Sequence, residues 1–409
     1  MKEQENKDKK QAGRLDKYVS PLTAWALAFG CAVGWGAFMM PGNTFLPTAG
    51  PVGTVLGIVI GGIIMIIIGF NYHYMINLYP DAGGAFAYTK KEFGYDHGFL
   101  CAWFLILTYV AIIWANATAL PLLFRKLLGG TFQFGFHYTI AGFDVWFGEV
   151  MLAMAAIMLA ALVCFRNHLA KWVQIVMAII LLGGVFFCFA GTWNMHRGGA
   201  ATLQPAFSPN RSPASGIFTI VFLAPWAFVG FESISHSSEE FGFSAKKSGG
   251  IMAGAVAAAI AAYALMALNS VAILPPEYSS WPEYFAAAGD LDGVRGVPTF
   301  YATYHAMGAA GGVLLGITCI GGIVTGLIGN YIASSRLLYA LAEDGIMPGR
   351  LGEINKEKAP KNAIVAIMLV SMIIPFLGRT TIRSPASMQG WCWTSSGSIR
   401  RSAAAARTL

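Results

Sequence analysis

Long, nearly uncharged apolar blocks constrain this chain more than any other feature of its sequence. Crossing a bilayer takes about 20 mainly apolar residues, and here 56% of the residues are hydrophobic and only 11% are charged. Eight blocks are long enough to cross, and a ninth is shorter. They cover residues 21–40, 52–78, 99–124, 150–165, 169–191, 217–235, 250–274, 307–341 and 363–377. The pattern predicts an all-α membrane protein that crosses the lipid bilayer many times.

The distribution of basic residues predicts the orientation of these spans. The formal net charge is +7, but the lysines and arginines lie in short loops and in a charged tail at residues 1–18. With the N-terminus inside, inner segments hold sixteen of them and outer loops hold five. Such a bias is typical of cytoplasmic loops. It predicts a cytoplasmic N-terminus and gives no reason to expect a nucleic-acid partner, while the oligomeric state stays open.

Sequence motifs of enzymes, metal centres and channels are missing. The six cysteines are scattered without a CxxC pair, so neither a disulfide framework nor a zinc site is predicted. No Gly-x-Ser-x-Gly or His-Glu-x-x-His motif occurs, which argues against a hydrolase or a metalloprotease. No charged pore series suggests a channel. We therefore expect no enzymatic activity, no cofactor and no bound metal.

Two of the apolar blocks are interrupted by poor helix formers. The first is interrupted at Gly34-Trp35-Gly36, and the sixth between Pro225 and Gly230. Irregular backbone at membrane depth is tolerated only beside protein or a watery cavity. Breaks at corresponding positions of two halves are the pattern of transporters built from inverted repeats, with the site near the bilayer midplane. The alternative is close packing of small residues against a neighbouring helix.

Helix ends inside the membrane define the chemistry of such a site. A half-helix that begins there presents free N–H groups, which suit a carboxylate, and one that ends there presents free carbonyls, which suit an ammonium group. A zwitterionic amino acid matches both. Glu232 is the one carboxylate expected within a span, and intramembrane ionisable groups are usually functional; a hydrated, structural role is the alternative. Lys171 is either a coupling group or an interfacial anchor.

The blocks divide into one membrane domain at residues 19–377, with a first repeat at about 19–191 and a second from about 216. The second repeat is predicted to be incomplete. Residues 378–409 are rich in serine and arginine and contain no apolar span. This predicts that the chain is truncated and that the last segment is an aberrant polar tail, such as an out-of-frame one. A genuine tail is the alternative.

Four stretches make the chain resemble bacterial amino-acid permeases of the amino acid–polyamine–organocation superfamily. They are residues 34–38 (GWGAF) with Pro41-Gly42, 80–88 (PDAGGAFAY) with Phe93-Gly94, 226–232 (WAFVGFE), and 335–345 (SRLLYALAEDG) followed by Pro348. The resemblance implies a five-plus-five inverted-repeat, LeuT-like fold. It also implies secondary active transport of amino acids or related amines across the cell membrane by alternating access. Coupling to H⁺ or Na⁺ stays open.

The resemblance also implies which residues bind the substrate. In the family the broken first helix binds the substrate carboxylate through backbone amides, and helix-six carbonyls take the amino group. By similarity to the agmatine- and arginine-exchanging branch, Trp226 is an aromatic gate and Glu232 a gating carboxylate. The implied substrate-binding residues are Val33, Gly34, Trp35, Gly36, Ala37, Trp226, Ala227, Phe228 and Gly230.

The chain departs from the family pattern in two places. Glu239-Glu240 is followed by Phe241 rather than by Asn-Pro, and no tenth apolar block follows the ninth. The second departure keeps a rival hypothesis open, a non-transporting remnant of a permease. A channel is a less favoured alternative.

Overall fold

The computed structural model describes residues 15–140, 143–195 and 202–377. Within these ranges, seven helical stretches are long and apolar enough to cross a membrane. The first, Pro21–Leu78, contains the first two predicted blocks, and the shorter Lys361–Phe376 corresponds to the ninth. All predicted blocks are therefore helical. The polar tail predicted at 378–409 lies outside the described residues, and so does most of the N-terminal tail; the division into repeats stays a prediction.

The first two crossings form one continuous stretch of broken and bent helix. Helix α1 (Pro21–Val33) and helix α2 (Gly36–Met40) are separated by two residues. A wider turn, Pro41–Phe45, then leads into α3 (Leu46–Leu78). Gly50 lies near the start of α3 with φ 75°, a value that favours glycine, and there the chain turns back across the membrane.

The other helices follow the predicted blocks closely. They are α4 (Ala85–Phe93), α5 (Tyr95–Leu128), α6 (Phe147–Cys164), α7 (Asn167–Met195), α8 (Pro213–Phe228), α9 (Ser248–Ser270), α10 (Trp281–Ala287), α11 (Pro298–Glu343) and α12 (Lys361–Ile373). Short 3₁₀ helices span Phe231–Glu240, Ala245–Lys247, Ala288–Asp290, Gly293–Gly296, Gly349–Gly352 and Ile374–Leu377. A small antiparallel hairpin, β1 (His137–Ile140) and β2 (Phe143–Trp146), pairs His137 with Trp146.

Glycine stripes let the helices of the core pack closely. A Cβ atom on Gly57 would collide with the side chain of Ile220, and one on Gly61 would collide with that of Ala224. The glycines of α3 therefore lie directly against α8, as small-residue spacing indicates for membrane helices.

Large apolar side chains cover the outside of the bundle. Ile67, Phe104, Phe187 and Phe222 are each more than half exposed, while the glycines, alanines and buried polar groups face inward. An apolar exterior is what a bilayer solvates. The chain is therefore a multi-pass membrane protein by its surface as well as by the length of its helices.

Candidate functional site

The first break lies where the sequence predicts it. Helix α1 ends at Val33 because Gly34 has φ 49° and ψ −145°, and the Gly34 N–H bonds back to the Gly30 carbonyl at 3.1 Å. Helix α2 begins two residues later, at Gly36. The first N–H groups of a helix have no partner inside it. Of the predicted binding residues here, Val33, Gly34 and Ala37 are buried, whereas Trp35 and Gly36 are half-buried.

The second break lies at the far end of the predicted range, residues 225–230. Helix α8 runs straight through Pro225 and ends at Phe228. Proline removes a single backbone hydrogen bond, and neighbouring protein can compensate for that loss within a membrane. The chain opens at Val229, which is extended, and at Gly230, which has φ 107°. The carbonyls of Ala227 and Phe228 lie in the last turn, where no intrahelical donor reaches them.

The two breaks touch each other. A Cβ atom on Gly230 would lie 2.7 Å from Cys31 Cβ and 3.0 Å from the Cys31 carbonyl oxygen. Only glycine allows this approach of one broken span to the other. The second break is thereby held against the last turn of α1, three residues before Gly34.

Tyr263 of α9 links the two breaks, and the sequence did not single it out. Its hydroxyl donates to the Val33 carbonyl at 3.4 Å, and a Cβ atom on Gly36 would lie 2.8 Å from the same hydroxyl oxygen. Its ring packs edge-on against Phe228, with 5.9 Å between centroids. The one available signal was a tyrosine within an alanine-rich span, since a buried Tyr hydroxyl usually finds a partner.

Asn116 of α5 adds an acceptor beside the first break. Its Nδ2 donates to the Ile112 carbonyl at 2.9 Å, but its buried Oδ1 has no hydrogen-bond partner among the described residues. A Cβ atom on Gly34 would lie 3.1 Å from that oxygen. On the opposite side, Gly322 of α11 meets the Gly34 carbonyl and Gly326 meets the Asn116 side chain. A buried acceptor without a donor is costly, so Asn116 marks a place where a ligand N–H would be stabilised.

Glu232 is buried just beyond the second break. Its Oε2 accepts the Gly230 N–H at 2.8 Å, and its Oε1 accepts the Tyr109 hydroxyl at 3.3 Å. The Tyr109 hydroxyl also lies 3.0 Å from His236 Nε2. In the part of the chain that the structure describes, no lysine or arginine forms an ion pair with Glu232. The predicted gating role of Glu232 stays a prediction.

Trp226 is not brought to the breaks. Its side chain is 53% exposed and shares one face of α8 with Phe218 and Phe222, which are 62% and 81% exposed. That face belongs to the apolar exterior, so this placement does not favour the predicted aromatic gate. Phe228, two residues later, is fully buried and supplies the aromatic ring at the break.

An apolar cavity opens beside Trp35. Its volume is about 10 Å³, and it is lined by Phe38 and Met39 of α2, by Leu122 of α5 and by Phe300 of α11, among others. Lys126 is the one charged residue in its lining, and its Nζ donates to the Leu291 carbonyl at 2.7 Å. A cavity of this size has room for about one water molecule, so its lining side chains must move apart before an apolar group of a bound molecule can enter.

A buried ion pair lies at the other end of the Phe231–Glu240 helix. Arg336 of α11 donates to Glu240 through Nε at 3.1 Å and Nη2 at 3.0 Å, and both side chains are fully buried. Nη2 also donates to Asn167 Oδ1 at 3.0 Å and to the Tyr18 hydroxyl at 3.3 Å. Burial raises the pKa of Tyr18, so its hydroxyl keeps its proton.

Lys171 does not approach the breaks. Its Nζ lies 5.9 Å from the ring centroid of the exposed Trp172, a placement typical of an interfacial anchor. A buried polar group farther along α7 is Gln174, whose Nε2 donates to the carbonyls of Ala26 and Thr325 at 3.2 and 3.3 Å. Across residues 15–140, 143–195 and 202–377, no cluster of three or more His, Cys, Asp or Glu side chains could hold a metal ion.

Comparison with known proteins finds similar sequences over most of the chain. The family model described as amino acid permease matches residues 19–397, which extends into the segment predicted to be aberrant. The branched-chain amino acid permease BcaP of Lactococcus lactis is 25% identical over 372 residues, which are 85% of this chain and 73% of BcaP. The methylthioribose transporter of Bacillus subtilis is 22% identical over 90% of this chain and 77% of its own length. Cationic amino acid transporter 7 of Arabidopsis thaliana is 23% identical over 85% of this chain, and the match covers 58% of that transporter.

Solved structures show the fold. A Na⁺-coupled sialic acid symporter in a substrate-bound, outward-open state matches with a TM-score of 0.55 and 13% identity, over 88% of this chain and 72% of the symporter. A nucleobase-cation-symport-1 family transporter in a closed conformation matches with a TM-score of 0.53 and 13% identity, over 91% of this chain and 75% of that one. The chain thus has the inverted-repeat, LeuT-like fold expected from its sequence.

Proposed function

This chain belongs to the amino acid permease family, and from that premise we propose that it carries amino acids or related amines across the cell membrane by alternating access. The observation that carries the proposal is the contact between the two breaks, where Gly230 lies against Cys31. It places the second break against the last turn of α1, and Tyr263 connects the two breaks through its contacts with Val33 and Phe228. The alternatives of a non-transporting remnant and of a channel are not favoured, because the family match covers most of the chain.

The substrate carboxylate binds the N–H groups at the start of α2. Residues 35–37 contribute unpaired donors and the positive end of a helix dipole, whereas the Gly34 N–H is already bonded to the Gly30 carbonyl. The substrate amino group binds the carbonyls of Ala227 and Phe228 and the free Oδ1 of Asn116. Each end of a zwitterion then has partners of opposite charge, at a depth where unpaired groups would cost several kcal/mol.

The substrate side chain enters the cavity beside Trp35 after the lining side chains move apart, because the cavity of about 10 Å³ is too small for it as it stands. Its lining carries no carboxylate, and its one charged residue is a lysine. A cationic side chain would be repelled there, whereas a branched or aromatic one would be stabilised by about 25 cal/mol for each Å² of apolar surface buried. Neutral amino acids with apolar side chains are therefore the preferred substrates.

The Arg336–Glu240 pair closes the cytoplasmic side. It connects α11 to the end of the Phe231–Glu240 helix, to α7 through Asn167, and to Tyr18 ahead of α1. The backbone adds two bonds, from Val19 N–H to the Glu240 carbonyl at 3.0 Å and from Gly242 N–H to the Val19 carbonyl at 2.9 Å. With the N-terminus in the cytoplasm, these contacts must separate for the substrate to leave inward.

Counterflow in proteoliposomes tests the proposal. The purified protein is reconstituted with unlabelled leucine inside, and uptake of labelled leucine, arginine and glutamate is followed. We expect saturable leucine counterflow that exceeds arginine and glutamate counterflow. A preference for arginine would contradict the assigned selectivity but not transport. Transport itself would be contradicted if no counterflow is seen for any of the three amino acids, even when the proteoliposomes are loaded with the same amino acid that is labelled outside.

A further inference from the structure

A buried chain of three titratable side chains leads away from the second break. It runs from Glu232 through Tyr109 of α5 to His236, with the hydrogen bonds of 3.3 and 3.0 Å given above. Glu232 is 7% exposed, and Tyr109 and His236 are fully buried. The Tyr109 and His236 rings meet edge-on with centroids 5.5 Å apart. These groups are spatially linked although α5 and the Phe231–Glu240 helix are far apart in sequence.

The outer bonds of the chain fix its direction. At one end, Glu232 Oε2 accepts the N–H of Gly230, the glycine of the break itself. At the other end, His236 Nδ1 lies 3.2 Å from the Ala82 carbonyl, in the loop between α3 and α4. The Ala82 N–H in turn donates to the half-buried Glu239 at 3.2 Å. The chain therefore connects the candidate substrate site to the side that we assign to the cytoplasm.

The three groups need one more proton than a neutral histidine and an ionised glutamate provide. A carbonyl only accepts, so the bond to Ala82 requires a proton on Nδ1. If Nε2 is bare, it accepts the Tyr109 proton, and Glu232 must then be protonated to donate to the Tyr109 oxygen. If Glu232 is ionised, it accepts the Tyr109 proton, and Nε2 must carry a proton of its own. Both inner bonds form only when one additional proton is bound.

The groups that face this chain do not supply a permanent counter-charge. From α3, α1 and α4, the facing titratable groups are the neutral acids Tyr72, Cys31 and, at one remove, Tyr88. Among the described residues no lysine or arginine forms an ion pair with any of the three members. An unpaired carboxylate is expensive to bury, so a bound proton satisfies the chain and its release leaves one bond unmade.

We propose that Glu232, Tyr109 and His236 form a proton-binding chain, and that transport by this protein is driven by a proton that enters or leaves the second break along it. Loss of the proton leaves a charged or unbonded Glu232 beside Gly230 and so alters the break that holds the substrate amino group. Proton and substrate occupancy are thereby linked. The inference rests on the proposed transport function and adds the coupling ion to it.

Two measurements on the same proteoliposomes test this inference apart from transport itself. Counterflow without any gradient reports transport. Accumulation driven by an acid-outside pH gradient, with the membrane potential clamped at zero by valinomycin and equal potassium, reports coupling. The probe is whichever of leucine, arginine and glutamate shows counterflow. With one proton per substrate, a gradient of one pH unit supports at most about tenfold accumulation, and a sodium gradient alone should support none.

The variants are Glu232→Gln and His236→Asn. Each keeps hydrogen-bonding capacity but cannot bind the proton, so counterflow should persist while pH-driven accumulation falls to equilibration. Exposed residues on the same side give matched controls, Glu357→Gln and His97→Asn, which should accumulate as the wild type does. The proton chain would be overturned if the wild type shows counterflow but no accumulation driven by the pH gradient. It would also be overturned if the two variants accumulate substrate as the wild type does. Both outcomes leave the transport proposal intact. Absence of wild-type counterflow would overturn both proposals.

Discussion

Two buried carboxylates on one short helix have opposite surroundings. Glu240 faces the guanidinium of Arg336 with two hydrogen bonds and is held in an ion pair. Glu232, eight residues earlier in the same Phe231–Glu240 helix, has only an N–H and a hydroxyl as donors. A fully paired charge fixes a contact, because separating it exposes both partners to a medium that does not solvate them. A carboxylate held by neutral donors can exchange a proton. We therefore expect the protonation state of Glu232, at the break end of this helix, to change during transport. We expect the Glu240–Arg336 ion pair at the cytoplasmic end to keep that end in place.

The largest effect is expected where the paired end loses one partner. Arg336→Met leaves Glu240 charged and buried without a cation, which costs about 3–5 kcal/mol of unfolding free energy. Denaturant unfolding of the purified protein in detergent measures it. The double variant Arg336→Met/Glu240→Met should recover most of the loss. A single variant that unfolds within about 1 kcal/mol of the wild type would contradict the idea that this end is held by its charges.

Gly36→Val tests the region around the two breaks, because it fills the space at the first break. The new side chain starts 2.8 Å from the Tyr263 hydroxyl, so it displaces the group that bridges the two breaks. We expect substrate affinity to fall by about a hundredfold, or about 2.7 kcal/mol, while membrane insertion is unchanged. Gly250→Val is the matched control, because nothing lies within 4 Å of a Cβ atom there. Binding at wild-type affinity would show that the start of α2 is not the site.

Replacing each of the two carboxylates by an amide should change the unfolding free energy by different amounts, and Glu232→Gln should have the smaller effect. The amide oxygen still accepts from Gly230 and Tyr109, and no cation loses its partner, so the unfolding free energy should change by less than about 1 kcal/mol. Glu240→Gln, measured in parallel, leaves Arg336 buried and unpaired and should cost several times as much. Equal losses in the two variants would remove the contrast between the two ends.

The smallest effect is expected at Trp226. Since its ring lies on the exposed face with Phe218 and Phe222, Trp226→Ala should change substrate affinity by less than about twofold, or about 0.4 kcal/mol. Phe228→Ala, which removes the buried ring beside Tyr263, should weaken binding about tenfold. A large loss at Trp226 together with no loss at Phe228 would restore the gate predicted from the sequence.

What the sequence could predict was local. Three residues, Gly34-Trp35-Gly36, break a helix by their own conformational preferences, so the first break was found without coordinates. Proline at 225 was a weaker guide, because a membrane helix surrounded by protein tolerates it, and the chain opens at Gly230 instead. Sequence patterns locate spans well because a run of about 20 apolar residues matches the thickness of a bilayer and is rare in water-soluble helices.

The rest depended on which helix faces meet. Residues two apart on a helix point about 200° from each other, so Trp226 and Phe228 had to face opposite ways, and the sequence could not tell which faced inward. Asn116, Tyr109 and Tyr263 are polar residues in apolar spans, and the residues through which they reach the breaks are more than 80 positions away in the chain, namely Gly34, Glu232 and Val33. No periodicity encodes such contacts, and packing alone brought them to the breaks.

The proposed mechanism requires the two breaks to hold opposite ends of one zwitterion. Competition binding with leucine, N-acetyl-leucine and leucinamide examines that requirement on the purified protein. We predict that leucine competes and that each derivative is at least about a hundredfold weaker, since each loses one charged end, or about 2.7 kcal/mol. Derivatives that compete as well as leucine would mean that the bare peptide groups of α2 and α8 do not recognise the substrate.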